Sequence, residues 1–245
     1  MRIVITGAAG NIASAVIEEL SRFHELCLID QRLIDGVNSY SADLSVRPRD
    51  ADSANSAHWS SAFENAAVVV HFAANRESLA PWEKVLPDNI QATWNVLEAG
   101  ARHRVSRIVF ASSNWAVKAL EHQLAPACYE PGGPKISSEA FPCPVNDYGL
   151  SKAFGELAGR MFVDQQQLKS FVAVRIGNFN AAPPEDEVLR TRWIGVEDMC
   201  SLIRRCVEAE FSGFHVVYGV SAQATAPYDL THTRALLNWQ PRQMP

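Results

Sequence analysis

Apolar positions fall along this chain in two alternating rhythms. The segments Arg2–Thr6 (RIVIT), Glu25–Asp30 (ELCLID), 68–72 (VVVHF), 107–112 (RIVFAS) and 170–175 (SFVAVR) are short and almost continuously apolar. A strand covered by helices on both faces has no polar side, so such runs predict the buried strands of a parallel sheet. Between them lie longer stretches with helical spacing, at about 11–23, 87–103 and 147–167. Strand and helix in regular alternation predict an α/β fold, a doubly wound parallel sheet with right-handed crossovers. After about residue 176 the alternation loosens into a helix near 196–209, a strand near 214–218 and a short helix near 228–237. The expected organisation is a main layered domain over 1–176 and a small C-terminal lobe over 177–245. No linker makes that lobe independent. Residues 120–146, with several prolines and Gly132-Gly133, predict a long loop.

Composition narrows the range of partners. Hydrophobic residues make up 47% and charged residues 20%, a balance that can bury a core. Against 27 acidic residues stand 22 basic ones, a net charge of −5 with no block of Lys and Arg. That excludes the electrostatic footprint of a nucleic-acid or anionic-membrane binder. Apolar runs such as 66–70 (AAVVV) are far shorter than the roughly 20 residues needed to span a bilayer. Met1 and Arg2 lead straight into the first strand, which predicts no secretory leader. The cysteines Cys27, Cys128, Cys143, Cys200 and Cys206 are scattered and form no C-x-x-C pair. They predict a reducing cytoplasm and no disulfide framework, and no His, Cys or carboxylate cluster has the spacing of metal ligands. His71 at a strand end reads as a packed residue rather than a ligand.

The candidate chemistry sits at the strand ends. The first strand runs into Gly7-Ala8-Ala9-Gly10-Asn11-Ile12-Ala13 and then a helix. Glycines there permit a sharp turn and a close approach to a pyrophosphate, and the helix head points its free amides at the phosphates. The second strand ends in Asp30, where a carboxylate accepts the ribose hydroxyls of an adenosine and repels a 2′-phosphate. NAD is therefore the expected cofactor, although Arg32 could favour NADP. Further along, Tyr148 and Lys152 are four residues apart, on one helix face. A buried ammonium beside a phenol lowers its pKa and makes it a proton acceptor near neutrality. Ser112 and Ser113 end the preceding strand, where a hydroxyl can meet a substrate oxygen.

Together these residues resemble the short-chain dehydrogenase/reductase superfamily, in its extended branch of nucleotide-sugar epimerases and dehydratases. The likeness runs along almost the whole chain: TGAAGNIA at the start, Asp30, Asp43-Leu44, His71-Phe72-Ala73-Ala74, Asn89, Ala111-Ser112-Ser113, Tyr148 with Lys152, and Arg175-Ile176-Gly177-Asn178. Within that branch, 110–114 (FASSN), 174–177 (VRIG), Trp193 and 196–203 (VEDMCSLI) are similar to uronate dehydrogenases. Those enzymes oxidise the anomeric carbon of a hexuronic acid to a lactone with NAD. The resemblance implies a Rossmann domain in which Gly7, Gly10, Asn11 and Ile12 hold the pyrophosphate and Asp43-Leu44 the adenine. Ala73, Ala74, Asn89 and Ile176 would flank the cofactor's ribose and nicotinamide side. Ser113, rather than Ser112, falls at the catalytic serine position, and Asn75, Asn114 and Asn178 fall on the substrate side.

Departures from the uronate pattern also fall on the substrate side. Trp115 stands where uronate dehydrogenases have a histidine, and Val188 where they have the arginine for the carboxylate. If the substrate is an acid, Arg190, Arg192 or Arg76 must meet its carboxylate; if it is a neutral aldose, its ring stacks on Trp115. The expected activity is NAD-dependent oxidation of a sugar hydroxyl, with Tyr148 as base, Lys152 beside it and Ser113 orienting the oxygen. A nucleotide-sugar epimerase or dehydratase that retains NAD is the alternative, and a non-catalytic NAD-sensing module the third. The resemblance implies a homo-oligomer, a dimer or higher, through the helices at 87–103 and 147–167.

Overall fold

Nine strands occur among the described residues: β1 (Arg2–Thr6), β2 (Glu25–Asp30), β3 (Ser39–Ser41), β4 (Val68–His71), β5 (Arg107–Ser113), β6 (Ser170–Ile176), β7 (Asn178–Phe179), β8 (Trp193–Ile194) and β9 (Gly213–Gly219). The helices are α1 (Asn11–Ser21), α2 (Trp82–Val85), α3 (Ala92–Arg102), α4 (Lys118–Leu124), α5 (Asp147–Asp164), α6 (Glu187–Arg190), α7 (Val196–Glu208) and α8 (Thr231–Leu237). The computed structural model describes residues 1–32, 34, 38–48 and 58–245. Seven strands form one all-parallel sheet in the order β3-β2-β1-β4-β5-β6-β9, and β7 pairs with β8 apart from it.

The apolar runs of the sequence are these strands because both sheet faces are covered. Successive side chains point to opposite faces. Ile3 and Ile5 of β1 therefore pack with Val16 and Leu20 of α1 and with Met199, Leu202 and Ile203 of α7. Val4, between them, packs with Val96 and Leu97 of α3 and Ala158 and Phe162 of α5. Each such buried side chain contributes roughly 1.5–3 kcal/mol, so either helical layer is indispensable. The chain leaves β1 toward β2 and β3, then returns to the other side of β1 for β4 and the rest. That reversal opens a crevice at the carboxyl ends of β1 and β4, where such sheets bind ligands.

Three expectations change. The helix expected from about 87 begins at Trp82, and its residues Leu86–Gln91 form a π-helical turn between α2 and α3. Pro87 lies in that turn; its missing N–H removes one rung of the ordinary helical ladder. The expected 120–146 loop contains most of α4, a 3₁₀ turn at Ala127–Tyr129 and a bridge from Ile136 to Tyr228. Leu120 and Leu124, one helical turn apart, pack with Val117, Tyr218 and Tyr228, which stabilises the helix despite the prolines beyond it. Finally, residues 177–245 are less separate than a lobe. β9 is the edge of the main sheet, and α7 covers its core. Asp198 of α7 also accepts bonds from Ser221 Oγ (2.7 Å), Arg242 N (2.7 Å) and Gln243 N (3.1 Å), latching the C-terminal segment to the helix head. Among the described residues, no helix is long and apolar enough to cross a membrane.

Candidate active site

The cleft begins where β1 turns into α1. Gly7 has φ +68°, and a Cβ on it would stand 2.5 Å from the Ala73 backbone nitrogen, so only glycine lets the β1 and β4 exits lie this close. Gly10 N donates to Gly7 O at 3.0 Å and closes the turn. The first bond inside α1 is Ser14 N to Gly10 O (2.9 Å), which leaves the amides of Asn11, Ile12 and Ala13 at the helix head for an anion. Asp30 ends β2 with one carboxylate oxygen on Ala9 N (3.0 Å) and the other on Arg32 N (2.9 Å). Arg32 folds back over Ala9 O, against the turn. A cradle without side chains, a helix head and a carboxylate at the far rim fit a dinucleotide with unmodified adenosine ribose.

The other end of the cleft is assembled by α5 and β5. Asn146 caps α5 by accepting Gly149 N at 2.8 Å. Gly149 sits so close to the 114–117 turn that a Cβ would lie 2.5 Å from Trp115 O. That approach brings Tyr148 to the end of β5, where Ser113 hydrogen-bonds it. Lys152 is buried one turn on; its Nζ donates to Ala111 O at 2.8 Å and lies 5.6 Å from the Tyr148 ring. Burial pulls the Lys152 pKa down to about 8. The expectation that Lys152 depresses the Tyr148 phenol is not met: burial raises Tyr148 above its ordinary value, and only the Ser113 bond works against that. Desolvation of the phenolate outweighs an ammonium already engaged by a carbonyl. His71 is packed between Thr6 Oγ1 (2.6 Å) and Thr93 Oγ1 (3.1 Å), and burial drives its pKa to about 3, so it stays neutral.

One cleft of about 760 Å³ joins the two ends. It is lined by Gly7, Gly10, Asn11, Ile12, Asp30, Asp43, Leu44, Ala73, Ala74, Asn75, Arg76, Ser113, Tyr148, Lys152, Ile176 and Asn178. Five expected site residues do not line it. Asn89 stands behind the wall, its amide holding Asn75 N (2.7 Å), Asn75 O (3.1 Å) and Ser151 Oγ (2.9 Å). Asn114 is buried and donates to Tyr228 Oη at 2.9 Å. Trp115, partly buried, lies with its ring 5.6 Å from Lys118 Nζ. Arg190 is exposed and turned onto Pro184 O and Glu185 O. Arg192 is buried against Glu121 (3.4 Å) and Val188 O (3.2 Å). Neither arginine reaches the cleft. Sequence reasoning passed over Glu77 and Asp88 on the wall, and over Glu121, Lys118, Tyr129 and Tyr228 behind it. The spacing of Lys118 and Glu121, one helical turn apart, was the only local sign of that cluster.

Fold, glycine turn and Ser/Tyr/Lys end together define a nucleotide-dependent oxidoreductase of the Rossmann class. Residues 3–195 match the NAD dependent epimerase/dehydratase family. The chain belongs to that family, and NAD is its cofactor. It is 30% identical over 244 residues to an NAD-dependent glucose-6-phosphate dehydrogenase of Haloferax volcanii, covering 98% of this chain and 92% of that protein. Similarity to the same organism's L-arabinose 1-dehydrogenase (NAD(P)(+)) is 31% over 254 residues, covering 98% and 96%. Among solved structures, a tyrosine-to-alanine mutant of Agrobacterium tumefaciens uronate dehydrogenase, complexed with NAD, superposes with a TM-score of 0.80 at 29% identity. That match covers 99% of this chain and 85% of the other. All three of these proteins are sugar dehydrogenases.

Proposed function

We propose that this chain is an NAD-dependent sugar dehydrogenase that oxidises the anomeric hydroxyl of a hexuronic acid or related aldose to the lactone. The observation that carries this reading is the meeting of Ser113, Tyr148 and Lys152 at one end of the cleft that starts at the glycine turn. NAD, when bound, supplies the hydride acceptor. Tyr148 takes the hydroxyl proton, Ser113 bonds the reacting oxygen, and Lys152 faces the cofactor side of the phenol. Because burial holds the Tyr148 phenol above its ordinary value, oxidation gains rate as pH rises through the alkaline range. Five free cysteines suit a reducing cytoplasm, the compartment we assign. The outer face of α5, with Leu150 and Leu157 half exposed, is the surface on which we place a second copy of the chain.

On the substrate side the reading favours an anionic sugar. Arg76 lines the cleft, while Arg190 and Arg192 are engaged elsewhere. A sugar carboxylate or phosphate left unpaired in a closing site would be costly, and Arg76 can pair with it. NADH formation at 340 nm with galacturonate, glucose 6-phosphate, L-arabinose and UDP-galactose tests both levels. An anionic sugar should lead in kcat/KM by at least ~2 kcal/mol, with the lead lost in Arg76→Ala. Preference for arabinose would point to a neutral aldose, and turnover of UDP-galactose without net NADH would point to an epimerase.

A further inference from the structure

Asn95 lies on α3 next to Val96 and Leu97, and like them it is buried. A polar side chain in that position costs free energy unless its hydrogen bonds are made. Its donors both leave the helix: Nδ2 donates to Leu44 O at 2.8 Å and to Ser45 O at 3.0 Å. The two partners are carbonyls, which can only accept, so the atom facing them must be the amide nitrogen, and both its protons are spent there.

The turn held in this way is the far end of the cleft. Ala42, Asp43, Leu44 and Ser45 line it next to Asp30, and Ala42 N donates to Asp30 O at 2.8 Å. With the pyrophosphate at the head of α1, the nicotinamide toward Tyr148 and the ribose at Asp30, the base of NAD comes to these residues. Leu44 O and Ser45 N belong to one planar peptide group and point in opposite directions. Once Leu44 O is drawn to Asn95, Ser45 N faces the other way and meets Asp43 Oδ1 at 2.9 Å. That bond pins the Asp43 carboxylate, whose second oxygen has no partner among the described residues.

A carboxylate accepts from the exocyclic amine of adenine. A 6-oxo purine carries a carbonyl oxygen at that position, which would meet the carboxylate lone pair to lone pair. Resting on the placement of the base beside Asp30, we propose that Asn95 is a positioning residue for recognition of the base. By holding the 44–45 peptide it keeps the Asp43 carboxylate aimed at the adenine amine, so that the chain selects adenine over a 6-oxo purine. Glu98, three residues on, grips the same turn from outside through Arg47 (Nε to Oε2, 2.9 Å), but Arg47 is exposed and such a pair contributes little.

The test measures Kd by isothermal titration for NAD and for nicotinamide hypoxanthine dinucleotide, its 6-oxo counterpart. Wild type should bind NAD at least about tenfold more tightly. Asn95→Leu keeps the size of the side chain and suits a helix core, and Asn95→Ser leaves room for water at the two carbonyls. Thermal melts establish which of them is folded, and one folded variant suffices. In either, the preference for NAD should fall about five- to tenfold, mainly through weaker NAD binding. Added to Asp43→Ala, which by itself should abolish the preference, either change should do nothing more. Equal weakening of both dinucleotides would assign Asn95 to packing and overturn the proposal. So would an unchanged preference, or a further effect in the Asp43→Ala background. Glu98→Ala should move the preference by less than about twofold. An effect there as large as that at Asn95 would make recognition a matter of general stiffness and overturn the proposal as well. Failure of the underlying placement looks different: wild type would show no preference, or Asp43→Ala would keep it.

Discussion

The two ends of the cleft are made of different materials. The NAD end is mostly backbone: the Gly7 turn, the amides heading α1 and one carboxylate at the tip of β2, all within the first thirty or so residues. The reacting end is mostly side chain, drawn from β5, α4, α5 and the segments around 129, 192 and 228. A backbone cradle tolerates most side-chain changes except at its glycines. An end backed by a buried carboxylate stakes stability on a few charges.

The contrast can be broken first at the reacting end. Tyr148→Phe should cost roughly 10²–10⁴ in kcat while NAD binding, followed by fluorescence titration, stays within a few-fold of wild type. Loss of NAD binding as well would mean that the two ends are not separable. Glu121→Ala leaves Lys118 and Arg192 buried without their carboxylate, and should lower unfolding free energy by about 3–5 kcal/mol in urea titrations. A loss under ~1 kcal/mol would show that water reaches these charges.

At the NAD end the expected effects are smaller. Asp30→Ala should shift the NAD/NADP ratio of kcat/KM toward NADP by about ten- to hundredfold, since Arg32 then faces a 2′-phosphate without a competing carboxylate. An unchanged ratio would remove Asp30 from cofactor choice. The smallest effect returns to the reacting end, at Lys152. Its folded pKa of about 8 lies below the unfolded value near 10.4, so between these values the unfolded chain binds more protons and stability rises with pH. Below about 8 the penalty is present in full. Lys152→Met should therefore be more stable than wild type at pH 7, on the order of 1 kcal/mol, with the gap closing toward pH 10 in thermal melts. A gap that persists at pH 10 would assign it to packing instead.

What could be read without coordinates follows the same division. The strand Arg2–Thr6, the turn from Gly7 to Ile12, Asp30 and the Tyr148/Lys152 pair lie in short local patterns whose geometry follows from one strand or one helical turn. The bonds that Tyr228 makes to Glu121 and Asn114 join residues more than a hundred positions apart, and no periodicity carries that. α4 escaped notice because the prolines after it resemble a loop, whereas Leu120 and Leu124 are held by Tyr218 and Tyr228, far along the chain. Spacing placed Lys152 beside Tyr148 correctly. It could not weigh burial against charge, and the phenol moved in the opposite direction from the one expected.

The π turn at Leu86–Gln91 solves a problem of angular phase. Neighbours on a regular helix differ by about 100°, so one residue more or less rotates everything beyond it by that amount. α3 must present Val96 and Leu97 to the sheet, while Asp88 lines the cleft and Asn89 grips Asn75 and Ser151. The wider turn takes up the mismatch, so one continuous rod serves both faces. Deleting a single residue there would perfect the helix and swing Asn89 off its partners, making a more regular rod and a poorer cleft.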